Sequence, residues 1–182
     1  MIPEYDDVCY CLILDHNRFQ DNPLSVVFQN EESPELVRLF DGTILESVAE
    51  EGPWCVFFQG DSPLLYNQIF VELWQSDPYW KAGSSLVIGY QNQTKEEILD
   101  WAQSRAVAQS PLGNAMVFRF YSPALLDSIE QHLSRSEVTS LLSGISEIVW
   151  ANGSFKQQVD IAPNALGKAY QLPEQFYKGL ME

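Results

Sequence analysis

Cysteine and histidine, the residue types of a thiol nucleophile and its base, are few. The 182-residue chain has three cysteines, Cys9, Cys11 and Cys55, and two histidines, His16 and His132. The segment VCYCLILDH, Val8 to His16, holds most of them. A cysteine nucleophile needs a base to take its proton and a third group to orient that base. Cys9 or Cys11, with His16 beside Asp15, supplies those residue types, and strand ends in α/β proteins often face a site. Their spacing does not assemble them. Adjacent residues of an extended segment point different ways, and neither cysteine sits at an evident helix N-terminus that would lower its pKa. His132 falls late in a helical pattern, where it suits the C-terminal end of the helix dipole.

Metal and phosphate chemistry find still less. Cys9 and Cys11 make a Cys-x-Cys pair, two ligands short of a tetrahedral zinc site. There is no HExxH, paired CxxC or calcium-loop spacing, and GDSP and AGSS lack the pattern of a phosphate loop. The doublets Asp6-Asp7, Glu31-Glu32, Glu50-Glu51 and Glu96-Glu97 read as solvated faces. The expectation is a non-enzymatic chain with no cofactor, no metal and reduced thiols of an intracellular protein.

A different chemistry is raised by AMVFRFYSPALLDSIEQHL, Ala115 to Leu133, a strand, a corner and a helix. In a strand Val117, Arg119 and Tyr121 face one way, and Phe118 and Phe120 the other. The Arg119 guanidinium must then reach water or pair with a carboxylate or carbonyls. Asp15 and Asp41 are the candidate partners. A fork tying the strand to a turn is the favoured role, ahead of a partner contact or catalysis. Trp74, Tyr79 and Trp80 cluster around Asp77-Pro78, either as anchors for a protein partner or as cover for the core edge.

These residues must be positioned by elements that the pattern of apolar residues sets out. VCYCLILD is apolar on both faces, as expected of a central strand covered on two sides. Pro34 can start a short helix over ESPELVRLF, Asp41-Gly42-Thr43 is a turn, and ILESVAEE makes helical turns stopped by Gly52-Pro53. WCVFFQ is the second strand. Ser62 and Pro63 start a helix with Leu65, Ile69 and Leu73 on its inner face. SLVIGY is the third strand. Thr94 and Glu97 form a capping box for a helix that buries Ile98, Trp101, Ala102 and Ala106. MVFRFY is the fourth strand, and Ser122-Pro123 opens a helix with Leu126, Ile129 and Leu133 on one face. A further short helix begins near Ser136. ISEIVWANGSFKQQVDI reads as a hairpin around Asn152-Gly153, and the tail holds a terminal helix. Alternating strands and helices define an α/β class: a layered mixed sheet of four to six strands with flanking helices. The expected organisation is one α/β domain over 1–145, with a hairpin and tail over 146–182 packed on it.

Composition sets the surroundings. At 46% hydrophobic and 13% aromatic residues the chain can bury a sizeable core. Its 25 acidic against 10 basic residues give a net charge of −15. Such a surface repels nucleic acid and anionic lipid; it attracts basic partners or simply keeps the protein soluble. No apolar run approaches the ~20 residues needed to span a bilayer, and MIPEYDD does not read as a signal peptide. A cytoplasmic protein is expected.

The order LILD, LFDGT, GPWCVFF, a Gly-Ser turn before an apolar strand, and MVFRFYSPALL resembles the type VI secretion effector-adaptor chaperones, the Tap or TEC proteins. The resemblance covers roughly Tyr10 to Trp150. It maps the family motifs onto Asp15; Asp41, Gly42 and Thr43; Gly52, Pro53 and Trp54; and Arg119, Phe120, Tyr121 and Pro123. Ser122 stands where the family has an acid, and Trp101, Ala102 and Gln103 where it has a His-Leu-Arg run. The resemblance implies an adaptor in the cytoplasm of a Gram-negative bacterium that binds a toxic effector and helps load it onto the VgrG spike. It also implies a family C-terminal lobe, reduced or absent here. An apolar groove beside a sheet edge, rimmed by acids, is the expected seat of the effector. An immunity-type or decoy protein that neutralises a toxin is the alternative, followed by a hydrolase using Cys9, Cys11 or His16.

Overall fold

In the computed structural model, which describes residues 1–30, 34–157 and 169–181, helices pack on both faces of one central sheet. Strand β1 (Val8–Leu14) leads through a 3-10 turn (His16–Arg18) to helix α1 (Leu24–Asn30) and strand β2 (Glu35–Arg38). A second 3-10 segment (Glu46–Glu51) precedes β3 (Trp54–Gln59). Helices α2 (Pro63–Tyr66), α3 (Gln68–Ser76) and α4 (Pro78–Gly83) then lead to β4 (Ser84–Gln91). Helix α5 (Lys95–Ala106) is followed by a ribbon of β5 (Val107–Gln109) and β6 (Ala115–Val117). Helices α6 (Pro123–His132) and α7 (Arg135–Leu142), the hairpin β7 (Glu147–Trp150) and β8 (Gly153–Lys156), and α8 (Glu174–Met181) complete the described chain.

The sheet has six strands in the order β2-β3-β1-β4-β7-β8. The layered α/β class and the strand number are as expected. The directions are not mixed: every pairing in the sheet is antiparallel. Helices fill the connections without carrying any neighbouring strand back to the same end. β1 is buried along its whole length. Its Val8, Tyr10, Leu12 and Leu14 join one core with Phe70, Trp74 and Trp80 of the α3–α4 layer. Its Cys9, Cys11 and Ile13 join the other, with Trp101, Phe120, Leu126 and Leu141. Period-2 alternation on a strand covered twice produces this division. The hairpin is part of the same sheet, because β7 pairs with β4 from Leu86↔Val149 to Ile88↔Glu147. Among the described residues, no helix is long and apolar enough to cross a membrane.

Four local expectations need correction. Pro34 does not start a helix: Glu35–Arg38 is an edge strand, where Leu36 faces Val56 and Val37 faces Cys55. The expected helix after Ser62 breaks at Asn67, whose side chain accepts the Phe70 amide at 3.0 Å and restarts the helix. The restart rotates the inner face onto Phe70 and Trp74 and leaves Ile69 61% exposed. The fourth strand stops at Val117. The Phe120 amide donates to the Phe118 carbonyl and the Ser122 amide to that of Arg119, both at 2.8 Å. This turn replaces alternation, so Phe118, Phe120 and Tyr121 are all buried while Arg119 stays exposed. Finally, the hairpin loop is Ala151-Asn152, since Trp150 already faces Gly153 in register. The VDI end of the expected second hairpin strand lies outside the described residues. The capping box at Thr94 and the buried set Ile98, Trp101, Ala102 and Ala106 appear as read.

Candidate functional site

The motif residues, scattered over more than a hundred positions of sequence, gather at the end of the sheet where β1 finishes and β3 begins. Leu14 faces Trp54 across the β1–β3 ladder. The next residue, Asp15, turns inward with its side chain only 6% exposed, and its amide donates to the Gly83 carbonyl at 2.8 Å. Arg119 reaches Asp15 Oδ2 with Nη2 at 3.6 Å, and Arg18 Nε reaches the same oxygen at 3.6 Å. Of the two proposed partners for Arg119, Asp15 is the one it meets. The Tyr121 hydroxyl first, and the Asp15 carboxylate with it, hold Arg119 above its ordinary guanidinium range. Burial pushes the Tyr121 phenol up, against the pull of Arg119. The fork therefore ties the corner before α6 to the turn after β1.

Trp54 extends the cluster. Its indole stacks on His16, with ring centres 4.4 Å apart and planes 12° apart. Asn17 Nδ2 donates to the Glu51 carbonyl at 2.9 Å, which fastens the 3-10 turn to the segment before β3. Gly52 is required there by contact: a Cβ on it would lie 2.5 Å from Phe40 Cδ2. The Leu39 amide donates to the Pro53 carbonyl at 2.9 Å. Gly42 has φ +72, which favours glycine, and Thr43 Oγ1 donates to the Phe40 carbonyl at 2.7 Å while accepting the Leu45 amide. Asp41 contributes its backbone: Gln103 Nε2 donates to the Leu39 and Asp41 carbonyls at 3.2 and 2.8 Å. Gln103, which departs from the His-Leu-Arg pattern, is thus the link between α5 and the Asp41-Gly42-Thr43 turn. Pro123 begins α6 behind Ser122, which takes the N-cap position without a side-chain cap. The motif works as a brace for the sheet end.

The catalytic candidates do not converge. Cys9 and Cys11 lie five to seven residues from His16 along an extended strand, Cys9 roughly 20 Å away. Both are buried. Burial raises the Cys9 thiol to about 11, and burial followed by the neighbouring Cys55 raises Cys11 well above the thiol range. A nucleophilic thiol needs the opposite shift. His132 is exposed, its Nδ1 2.8 Å from the Ser128 carbonyl. Among the described residues no three metal-ligating side chains group together.

Of the aromatic cluster, Trp74 and Trp80 are core residues at 2% and 4% exposure, so they are not surface anchors. Phe70 lies between them, edge-on to Trp80. Tyr79 alone is exposed, at 43%. A concavity at a sheet edge lies elsewhere, a cavity of ≈ 680 Å³ lined by Phe57, Phe58, Glu35, Asp61 and Lys95 among others. Lys95 pairs there with Glu35 and Glu96, and beside it β2 leaves Leu36 40% exposed.

Sequence reasoning missed Arg105 and Asp127. Arg105 is half-buried in α5 over the Trp101 and Tyr170 rings, and donates to the carbonyls of Leu141 and Ser143 at 3.0 and 2.9 Å. Its place on the α5 stripe beside Ala102 and Ala106 was the available signal. Asp127 accepts from Trp150 Nε1 at 2.6 Å and Asn152 Nδ2 at 2.9 Å, and nothing local in the sequence links the three.

The motif residues thus brace one sheet end of a layered α/β fold whose thiols are buried. The chain belongs to the family described as a domain of unknown function, DUF4123, whose profile matches residues 10–140. Comparison with the curated proteins and with the solved structures gives no match.

Proposed function

We propose that this protein is a cytoplasmic adaptor that binds a type VI secretion effector and helps load it onto the VgrG spike. The observation that carries the proposal is membership, over residues 10–140, of a family associated with type VI secretion effectors. The structure lends support in two ways. The family motif is consumed in holding the sheet end, which leaves the rest of the surface for partners. The cavity beside the β2 edge has a mixed rim of Glu35, Asp61 and Lys95 with acid in excess, over the buried Phe57 and Phe58, which suits an effector segment carrying basic side chains. Binding there stabilises the docking-competent state of the effector by mass action.

The test is co-expression of the tagged chain with the products of the neighbouring genes. The adaptor reading expects a stoichiometric complex with one toxin-bearing protein, and capture of VgrG by that toxin only when the adaptor is present. Recovery of the adaptor alone, or equal capture of VgrG without it, removes the reading. The net charge of −15 also suits an inhibitor of a cationic toxin domain. Truncation of the effector separates the two: an adaptor keeps hold of the leading segment, an inhibitor of the toxic domain.

A further inference from the structure

The opposite end of β1 from the acidic cavity presents the reverse chemistry. Between α4 and the start of α6 lies a cavity of ≈ 430 Å³ whose lining includes Arg18, Lys81, Ser122, Ala124, Asp127 and Asn152. Arg18 is 53% exposed on its side chain and shares the buried Asp15 carboxylate with Arg119, so one anion serves two cations. Lys81 has no ion pair among the described residues. Asp127 spends both oxygens on Trp150 and Asn152. Ser122 and Ala124 bring the first turn of α6 to the wall, and that turn lacks a side-chain cap. Three further cavities among the described residues carry the charged side chains Glu35, Asp61 and Lys95, Asp21 and Asp77, and Asp100. In each of those the acids outnumber the cations, whereas here Arg18 and Lys81 face the single acid Asp127.

We infer that this cavity receives the carboxylate side chains of a short acidic segment of a partner protein. Resting on the adaptor reading for the identity of the partner, it gives that adaptor a second docking end of opposite charge to the first. Charge-assisted hydrogen bonds from a guanidinium and an ammonium are the strong ones available to a carboxylate. Open amides in the first helical turn add a partial positive charge directed the same way. The occupant must be short. Away from the cations the surface belongs to a chain of net charge −15, and screening confines its repulsion to about 8–10 Å. One or two carboxylates fit inside the cationic zone; a nucleic acid extends past it into repulsion at every further phosphate.

The experiment titrates the isotope-labelled full chain, followed by backbone amide NMR, with an octapeptide carrying two central glutamates in a Gly/Ser background. The expected result is saturable shifts at Arg18, Lys81 and Ala124, absent with the glutamine version of the peptide and weakened by salt. Lys81→Glu is expected to weaken binding at least tenfold while the spectrum stays dispersed, and Arg18→Gln, which sets no second carboxylate against the buried Asp15, to weaken it in the same direction. Ser122→Asp, which caps α6 and puts a carboxylate at its first turn, is expected to weaken binding without lowering the melting temperature. Equal shifts with the glutamine peptide, equal saturation by inorganic phosphate, tighter binding of a deoxythymidine decamer, or unchanged affinity in both the Lys81→Glu and Arg18→Gln chains would each overturn the inference. Co-purification separates the two proposals. If the neighbouring effector complex, VgrG included, forms equally with the wild-type and Lys81→Glu chains, the adaptor stands and the cavity has no part in it. If the glutamate peptide binds but no effector is recovered with either, the cavity chemistry stands and the adaptor reading fails.

Discussion

Arg119 and Asp15 meet at 3.6 Å across the end of the sheet, although one precedes α6 and the other follows β1. Their pairing is unequal: the carboxylate is buried at 6% exposure and the guanidinium is 49% exposed. The buried partner is the one whose loss matters, because it alone holds Arg18 and Arg119 to the same point. Asp15→Ala is expected to destabilise the fold by about 1–2 kcal/mol, and Arg119→Ala by less, since exposed ends of ion pairs are worth little. Urea midpoints measure both. A double variant no worse than Asp15→Ala shows that they act as a unit, whereas full additivity contradicts the fork.

Gly52 lies under the Phe40 ring, and the clash distance of 2.5 Å sets its tolerance. Gly52→Ala is expected to cost about 1–3 kcal/mol, the range for forcing extra atoms into a packed site. In a Phe40→Ala background most of that cost should vanish, because the obstructing atoms are gone. Thermal denaturation of the four chains closes the cycle. An equal cost in both backgrounds would place the strain elsewhere.

The sequence showed the layers of the fold more clearly than their joints. VCYCLILD could be read as a doubly covered strand because no polar side chain interrupts it, and both of its faces are core. Thr94 and Glu97 announced a helix start because a capping box is a local contact, four residues long. The joints were harder. Asn67 resets the helical phase through one side-chain hydrogen bond, and a single residue does this without altering the apolar count on either side. The Phe118–Tyr121 corner has the composition of a strand, and its turn is imposed by packing of three aromatic rings into the core behind it. At the site, Asp15 could be named beside Asp41 as a candidate partner of Arg119 because a cation in apolar surroundings demands an anion, and the structure chose Asp15. Lys81 and Arg18 come together only through the path of α4 and the 3-10 turn, and no spacing in the chain encodes that.

Arg105 anchors α7 from outside it. Its Nε donates to the Leu141 carbonyl at 3.0 Å and Nη2 to that of Ser143 at 2.9 Å, and Nη1 donates to Ser104 Oγ at 2.9 Å. Burial without a carboxylate lowers it to about 10, still charged at neutral pH. A lysine cannot reproduce a planar fork spread over the carbonyls of Ser140, Leu141 and Ser143. Arg105→Lys is expected to cost about 1–2 kcal/mol, and Arg105→Met more, because the Leu141 and Ser143 carbonyls then lose every donor from α5. Hydrogen exchange localises the effect: amides of α7 should open earlier while those of β1 keep their protection. Uniform loss of protection through the sheet would mean that Arg105 supports the core as a whole.

Cys9 makes the fold sensitive to alkali. Burial first, with Glu35 and Glu96 beside it, raises its thiol from an ordinary 9.0 to about 11. Below pH 9 the thiol is protonated in both the folded and unfolded chain and contributes no pH dependence. Above pH 9 the unfolded chain releases its proton while the folded chain keeps it, so unfolding gains free energy and stability falls until about pH 11. Tyr10, raised by burial from 10.0 to about 12, adds a loss of the same sign at still higher pH. Urea unfolding measured from pH 8 to pH 11 is therefore expected to show a flat region and then a decline. In Cys9→Ala the decline should be shallower between pH 9 and 11. The native thiols should also resist an aromatic disulfide reagent that titrates all three cysteines in urea, since each is buried. A slope unchanged by Cys9→Ala, or rapid labelling of Cys9 in the native protein at pH 8, would show that this thiol is open to solvent and return it to consideration as a reactive group.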